Sequence, residues 1–163
     1  MRILGFDPGT ATTGYGVIET VGSSMRLLDY GTIRTTAATP MPDRLVMICE
    51  AAGELIDSFS PEQIAVEKLY FNTNVTTGIT VAQARGVLLL AAAQRHIEIG
   101  EYTPLQVKQA VVGYGKADKQ QIQYMVSRIL NMKETPRPDD AADALAIAVC
   151  HSHFYKTKAL RGE

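Results

Sequence analysis

The strongest constraint on this chain is its opening stretch, Arg2-Ile-Leu-Gly-Phe-Asp7-Pro-Gly-Thr-Ala-Thr-Thr13. An apolar run begins almost at Met1, takes in one acid, Asp7, and is cut by Pro8-Gly9, which predicts a buried strand ending in a turn. An ionised carboxylate in a sheet core must be paired, hydrogen-bonded or bound to a metal, because desolvating it alone costs many kcal/mol. The plainer reading of Asp7 is a strand-end cap on the turn that Pro8-Gly9 opens, and on this segment alone it is at least as good. The choice depends on whether other acids reach Asp7.

Gly14 to Glu19 and Met25 to Arg34 read as two further strands joined through Val21-Gly-Ser-Ser24, so the first three strands form an antiparallel meander. From Asp43 to Phe59 the apolar positions Leu45, Ile48, Ala52, Leu55, Ile56 and Phe59 make a helical stripe, ended by Ser60-Pro61. Gln63-Ile-Ala-Val-Glu67 is a short buried strand that again finishes on a carboxylate. Reached through one helix, it should lie parallel to a neighbour by a right-handed crossover. If that neighbour is the first strand, Asp7 and Glu67 come within reach of one ion. Lys68 to Thr77 then forms a loop at the same edge. Its Tyr70 and Phe71 could stack on bases or pack back on the sheet.

Thr80 to Arg95 is a helix whose Gly86-Val-Leu-Leu-Leu-Ala-Ala-Ala93 section is apolar nearly all round, which calls for cover on more than one side, by the sheet and a second subunit. Ile97 to Tyr102 alternates as a fifth strand, Pro104 starts a helix to about Val112, and Asp118 caps a helix through Leu130. Gly113-Tyr-Gly115 is a break too weak to be a nucleotide loop. The last element, Pro138-Asp-Asp140-Ala-Ala-Asp143-Ala-Leu-Ala-Ile-Ala148, is a strong helix former with acids in its first turn. Asp139 and Asp140 there gain from the helix dipole. Asp143 stands among alanines on the face of Asp140 at one spacing and of Asp139 at another, and geometry alone does not choose between them.

Asp7, Glu67, Asp140 and Asp143 together would repel one another strongly unless protons or metal ions offset their charge. All-oxygen ligation favours hard cations such as Mg²⁺ or Mn²⁺, and no Cys or His grouping suggests zinc. Setting these acids aside leaves the rest of the chain, net −1 overall, at about +3, compatible with a polyanion approaching a neutralised centre. The cations gather late: Lys108, Lys116, Lys119, Arg128, Lys133 and Arg137 stand against Asp118 and Glu134 between Pro104 and Pro138. Such a run is either a polyanion-binding face or a solvated helix surface. Paired divalent ions about 4 Å apart suit in-line displacement at phosphorus.

The motifs Gly5-Phe-Asp7-Pro-Gly-Thr10 with Gly14-Tyr-Gly16, Glu67-Lys-Leu-Tyr-Phe71, Gln83-Ala-Arg-Gly-Val87, Thr103-Pro104 with Val107-Lys108, Lys119 with Gln121, and Asp140-Ala-Ala-Asp143-Ala-Leu-Ala-Ile-Ala148 occur in an ordered set. In these the chain resembles, essentially end to end, the RuvC-type crossover junction endodeoxyribonucleases, the Holliday-junction resolvases of bacteria. The resemblance implies an α/β, ribonuclease-H-like fold: a five-stranded mixed sheet, three antiparallel strands then two parallel, flanked by helices. It implies a homodimer that nicks two strands of like polarity at symmetry-related positions in a four-way DNA junction, with Mg²⁺ held by Asp7, Glu67, Asp140 and Asp143. That ligand set prefers Asp140 to Asp139. Mn²⁺ should substitute, with two ions per site. Lys108 and Lys119 match basic positions near the scissile phosphate. Tyr70 matches an aromatic position at the crossover that is Phe in some relatives. Phe71 and Lys116 join Tyr70, Lys108 and Lys119 as expected DNA contacts. Work with the RuvAB branch-migration complex and a modest sequence preference are also implied.

Asp-Pro-Gly-Thr followed by a hairpin also resembles the phosphate loop of actin-like ATPases and sugar kinases, but those close two such domains over a nucleotide and this chain is too short. A non-catalytic junction binder is disfavoured because all four acids are present, and a nuclease acting on RNA is a further rival. With 163 residues, 46% apolar and 20% charged, one soluble domain spanning 1–163 is expected, with a basic tail from about residue 156. Cys49 and Cys150 read as buried reduced thiols. No room for a signal peptide precedes the first strand and no apolar stretch was expected to reach membrane-spanning length, which together predict a cytoplasmic protein without a membrane partner. His151 and His153 need no catalytic role, since cations at a helix end are favourable.

Overall fold

The computed structural model describes residues 1–69 and 74–162. Ten elements follow in order: β1 (Arg2–Asp7), β2 (Thr12–Val21), β3 (Ser24–Arg34), α1 (Met41–Phe59), β4 (Gln63–Glu67), α2 (Val75–Ala93), β5 (Glu98–Tyr102), α3 (Pro104–Val112), α4 (Lys119–Ile129) and α5 (Asp139–Arg161). The strands form one sheet in the order β3-β2-β1-β4-β5. β1 pairs antiparallel with β2 and β2 with β3, while β4 is parallel to both β1 and β5. The expected mixed sheet is therefore present. β2, β3 and α1 separate β1 from β4 in the chain, and the parallel pairing of β1 with β4 brings two strand C-termini to one edge.

Alternation along the strands divides the core between two faces. Ile3 and Ile18 join Val107, Val126, Leu145 and Val149 under α3, α4 and α5. Leu4, Phe6, Val17 and Val66 join Ile48, Ile56, Ala84 and Leu88 under α1 and α2. On the first face α5 lies directly on the backbone of β1 and β2. A methyl group at Gly5 would strike the carbonyl of Ala144, and one at Gly14 would strike the carbonyl of Asp140. Glycine in these strands, with alanines on the helix, is what allows the first turn of α5 to come down onto the sheet edge.

Three expectations are corrected. α2 begins at Val75, inside the stretch read as loop, because Asn74 caps it by accepting from the Thr77 amide at 3.2 Å. By length and composition α2 could also cross a membrane, its mean hydropathy reaching 1.4 over 18 residues. Here it packs on α1 and β5 and contributes Ala84, Leu88, Ala91 and Ala92 to the core. α5 runs on through Arg161. His151 consequently sits inside that helix, 4% exposed, with its Nδ1 2.9 Å from the Tyr102 hydroxyl. Burial pulls its pKa down to about 4, so it is a neutral core side chain and not a helix-end cation.

Candidate active site

Asp7 and Glu67 are the last residues of β1 and β4, and the parallel register Phe6↔Val66 sets them side by side. The turn after Asp7 is pinned by hydroxyls. Thr13 Oγ1 donates to the Gly9 carbonyl at 2.6 Å, Thr10 Oγ1 to the Thr80 carbonyl at 2.7 Å, and Thr35 Oγ1 to the Thr10 carbonyl at 2.6 Å. Asp140 and Asp143 come from the N-terminal turns of α5, carried over Gly14 by the close seat described above.

The four acids feel one another. Burial and then the charges of Asp143, Glu67 and Asp140 push Asp7 up to about 8, against the pull of Lys119. Burial and Asp143 push Glu67 up to about 7, with Lys108 and Lys119 opposing. Burial likewise raises Asp143, partly offset by Lys119. These are carboxylates whose ionised forms lack enough compensating positive charge.

Two helix starts deliver that charge. At α4 the Asp118 carboxylate accepts from the Gln121 amide at 2.8 Å and the Gln121 side chain accepts from the Asp118 amide at 2.9 Å, a reciprocal cap that fixes the first turn. Lys119 follows directly, with Nζ 3.4 Å from Asp143 and 3.2 Å from Asp139. Burial lowers its pKa, but the two carboxylates more than offset this and the ammonium sits above its ordinary value. Lys108 lies in α3, itself closed by the Thr103 and Gln106 capping box. Glu67, Asp143, Lys108 and Lys119 together line one cavity of about 330 Å³.

Asp139 and Asp140 part company. Asp139 is exposed, accepts from Gln123 Nε2 at 2.9 Å as well as pairing with Lys119, and its carboxyl is held low by these partners. Asp140 is half-buried and its charge reaches Asp7. Lys116 is exposed on the α3–α4 connection, outside that cavity. Tyr70 and Phe71 lie outside the described residues. Sequence reasoning missed Gln123 and also Arg85, which reaches from α2 to the main chain of Glu67 and pairs with Glu101. For Arg85 the signal was the Gln83-Ala-Arg-Gly-Val87 motif, noticed but given no role.

The donor set is entirely oxygen and short of positive charge, which fits hard divalent ions. Among the described residues no three potential ligands stand close enough to enclose an ion as they are.

The sheet order, the helices on both faces and an acid cluster at the C-termini of β1 and β4 define a ribonuclease-H-like protein of the resolvase kind. The family model for crossover junction endodeoxyribonuclease RuvC matches residues 3–151. The chain belongs to the RuvC family. A crossover junction endodeoxyribonuclease RuvC of Desulfitobacterium hafniense is 59% identical over 153 residues, 94% of this chain and 93% of the relative. The structure of T. thermophilus RuvC in complex with Holliday junction substrate superposes with a TM-score of 0.92 at 36% identity, covering 96% of each chain. The yeast mitochondrial Holliday junction resolvase Ydc2 shares the fold, with a TM-score of 0.67 at 14% identity over 91% of this chain and 76% of its own.

Proposed function

We propose that this chain is a structure-specific endonuclease that resolves four-way DNA junctions by paired, symmetrical nicks in strands of like polarity. The observation that carries this reading is the meeting of Asp7 and Glu67 at paired strand ends with Asp140 and Asp143 from the first turns of α5, where burial and then the three other acids push the half-buried Asp7 carboxyl up to about 8. A cluster so short of positive charge is suited to cations and, through them, to phosphate.

Asp7, Glu67, Asp140 and Asp143 would hold Mg²⁺, with Mn²⁺ as a substitute and two ions per site. When bound, the ions would lower the pKa of water and stabilise charge on the leaving oxygen. Lys119, anchored between Asp139 and Asp143, would offset charge at the reacting phosphate, and Lys108 would do so from the facing helix. Lys116, Tyr70 and Phe71 are proposed to contact DNA away from the reacting atoms. A homodimer would supply the two cuts, through α2. Val75, Ile79 and Leu90 are 64%, 52% and 52% exposed on that helix, and only 22% of its most apolar window is buried. The chain is read as one nuclease domain working in the cytoplasm with the RuvAB branch-migration complex.

The test is to incubate the purified protein and Mg²⁺ with a mobile four-way DNA junction, a linear duplex and a structured RNA, and to map the nicks. Paired nicks confined to the junction support the reading. Equal cutting of the duplex or preference for RNA would replace it.

A further inference from the structure

A second charged surface adjoins the acid site and is not used by the chemistry proposed there. Two neighbouring hollows of about 650 and 600 Å³ share Tyr30, Met132, Lys133 and Glu134 as walls. Together they make a groove between edge strand β3 and the connection from α4 to α5. Its near end holds Tyr124 and Arg137, whose charge acts on Asp139, the residue that Lys119 and Gln123 bind. Its far end holds Met25 and Arg26, at the end of β3 remote from Asp7.

The charges in this groove are largely unspent. Among the described residues no carboxylate pairs with Arg128, Lys133 or Arg137. Glu134 is the one acid in the walls, and Arg26 is already held by Glu19. Tyr124 is 60% exposed and leaves a ring face open beside the cations. α4 runs between the two sites, with Lys119 in its first turn and Arg128 in its last, about 14 Å apart along the axis at 1.5 Å per residue. Duplex DNA advances about 3.4 Å per phosphate along each strand. The same helix thus offers one cation at the acid cluster and another about four phosphates away.

We propose that this groove seats the sugar-phosphate backbone of one junction arm, with Arg128, Lys133 and Arg137 on phosphates about four nucleotides from the cut. The assignment rests on reading the acid cluster as the junction-cutting site. Three exposed cations without a carboxylate partner among the described residues face a single acid, Glu134, and α4 links them to Lys119 at that site. Contacts of this kind position an arm without reading its sequence.

The test compares the unaltered protein with the Arg128→Ala/Lys133→Ala double variant, titrating a four-way junction in chelator so that it stays intact. Loss of two phosphate contacts should weaken binding about tenfold at moderate salt and make the log-log salt dependence shallower by about two units. Single methylphosphonates about three to six nucleotides from the mapped cut should weaken binding by the unaltered protein and not by the variant. Equal affinity and slope would overturn the proposal. So would a variant that loses as much to each methylphosphonate as the parent, because the cations would then act only through their distant field. Failure of the unaltered protein to cut junctions at all would instead remove the reading of the acid site.

Discussion

Arg85 Nε donates to the main-chain carbonyl of Glu67 at 3.0 Å, tying the last residue of β4 to α2. The guanidinium also pairs with Glu101 on β5, and its side chain is only 17% exposed. It therefore holds the ends of two parallel strands from the helix beneath them. Arg85→Ala should leave junction affinity within about twofold and slow single-turnover cleavage by about 10- to 100-fold, the usual cost of losing a group that orients a ligand. Arg85→Lys should recover little, since a point charge cannot make both contacts. A cleavage rate equal to the parent's would show that Glu67 holds its position unaided.

Lys119 bridges Asp139 and Asp143 from a fixed helix start. Lys119→Ala should slow cutting much more than it weakens binding, and the pH at which the rate rises should move upward. The direction follows from the loss of the ammonium that now pulls Asp7, Glu67 and Asp143 down. Rate against pH, measured in single turnovers, checks both points. An unchanged profile would make Lys119 an ordinary surface lysine.

Stability in chelator should fall as pH rises from about 6.5 to 8.5. Asp7 is raised from 3.8 to about 8 and Glu67 from 4.5 to about 7, so the folded protein keeps protons that the unfolded chain has already released. The loss accumulates at every pH where only the folded state keeps these protons, so it is under way from about pH 4, amounts to about 2 kcal/mol between 6.5 and 8.5, and levels off once both acids are ionised. His151, lowered from 6.5 to about 4, has the opposite slope but acts only below about pH 6.5. Melting curves should show the decline, and Asp7→Asn or millimolar Mg²⁺ should flatten it. A profile flat in chelator would mean that the acids are better compensated than their burial implies.

Light scattering at micromolar concentration should return about twice the chain mass of 17.7 kDa. Ile79→Arg with Leu90→Arg, both on the exposed side of α2, should return the single-chain mass with the fold retained, since desolvating either cation against a second copy is costly. Asp7→Asn, by contrast, should stay dimeric and bind junctions while losing cleavage. A monomer mass for the unaltered protein would leave the apolar side of α2 needing another partner.

The strand ends bearing Asp7 and Glu67 were legible because each short apolar run stops abruptly, and a strand reached through one helix is expected to lie parallel to a neighbour, which proves to be β1. Asp143 was legible because an acid among alanines has no local partner. Spacing alone could not separate Asp139 from Asp140, where only the family resemblance chose, since the physical difference lies with Gln123 and Lys119, which approach from another helix. Arg85 was opaque for the same reason: its acceptor is a carbonyl in a distant segment. The start of α2 was missed because Asn74 looked like loop chemistry, whereas its side chain closes a helix turn.

The bare strand positions beneath α5 make the sheet's own main chain the ruler against which Asp140 is set from Asp7. No rotatable group lies between them to swell, shift or be replaced. Any side chain introduced at Gly14 would act as a shim, tilting the helix and widening the gap between acids while touching neither carboxylate.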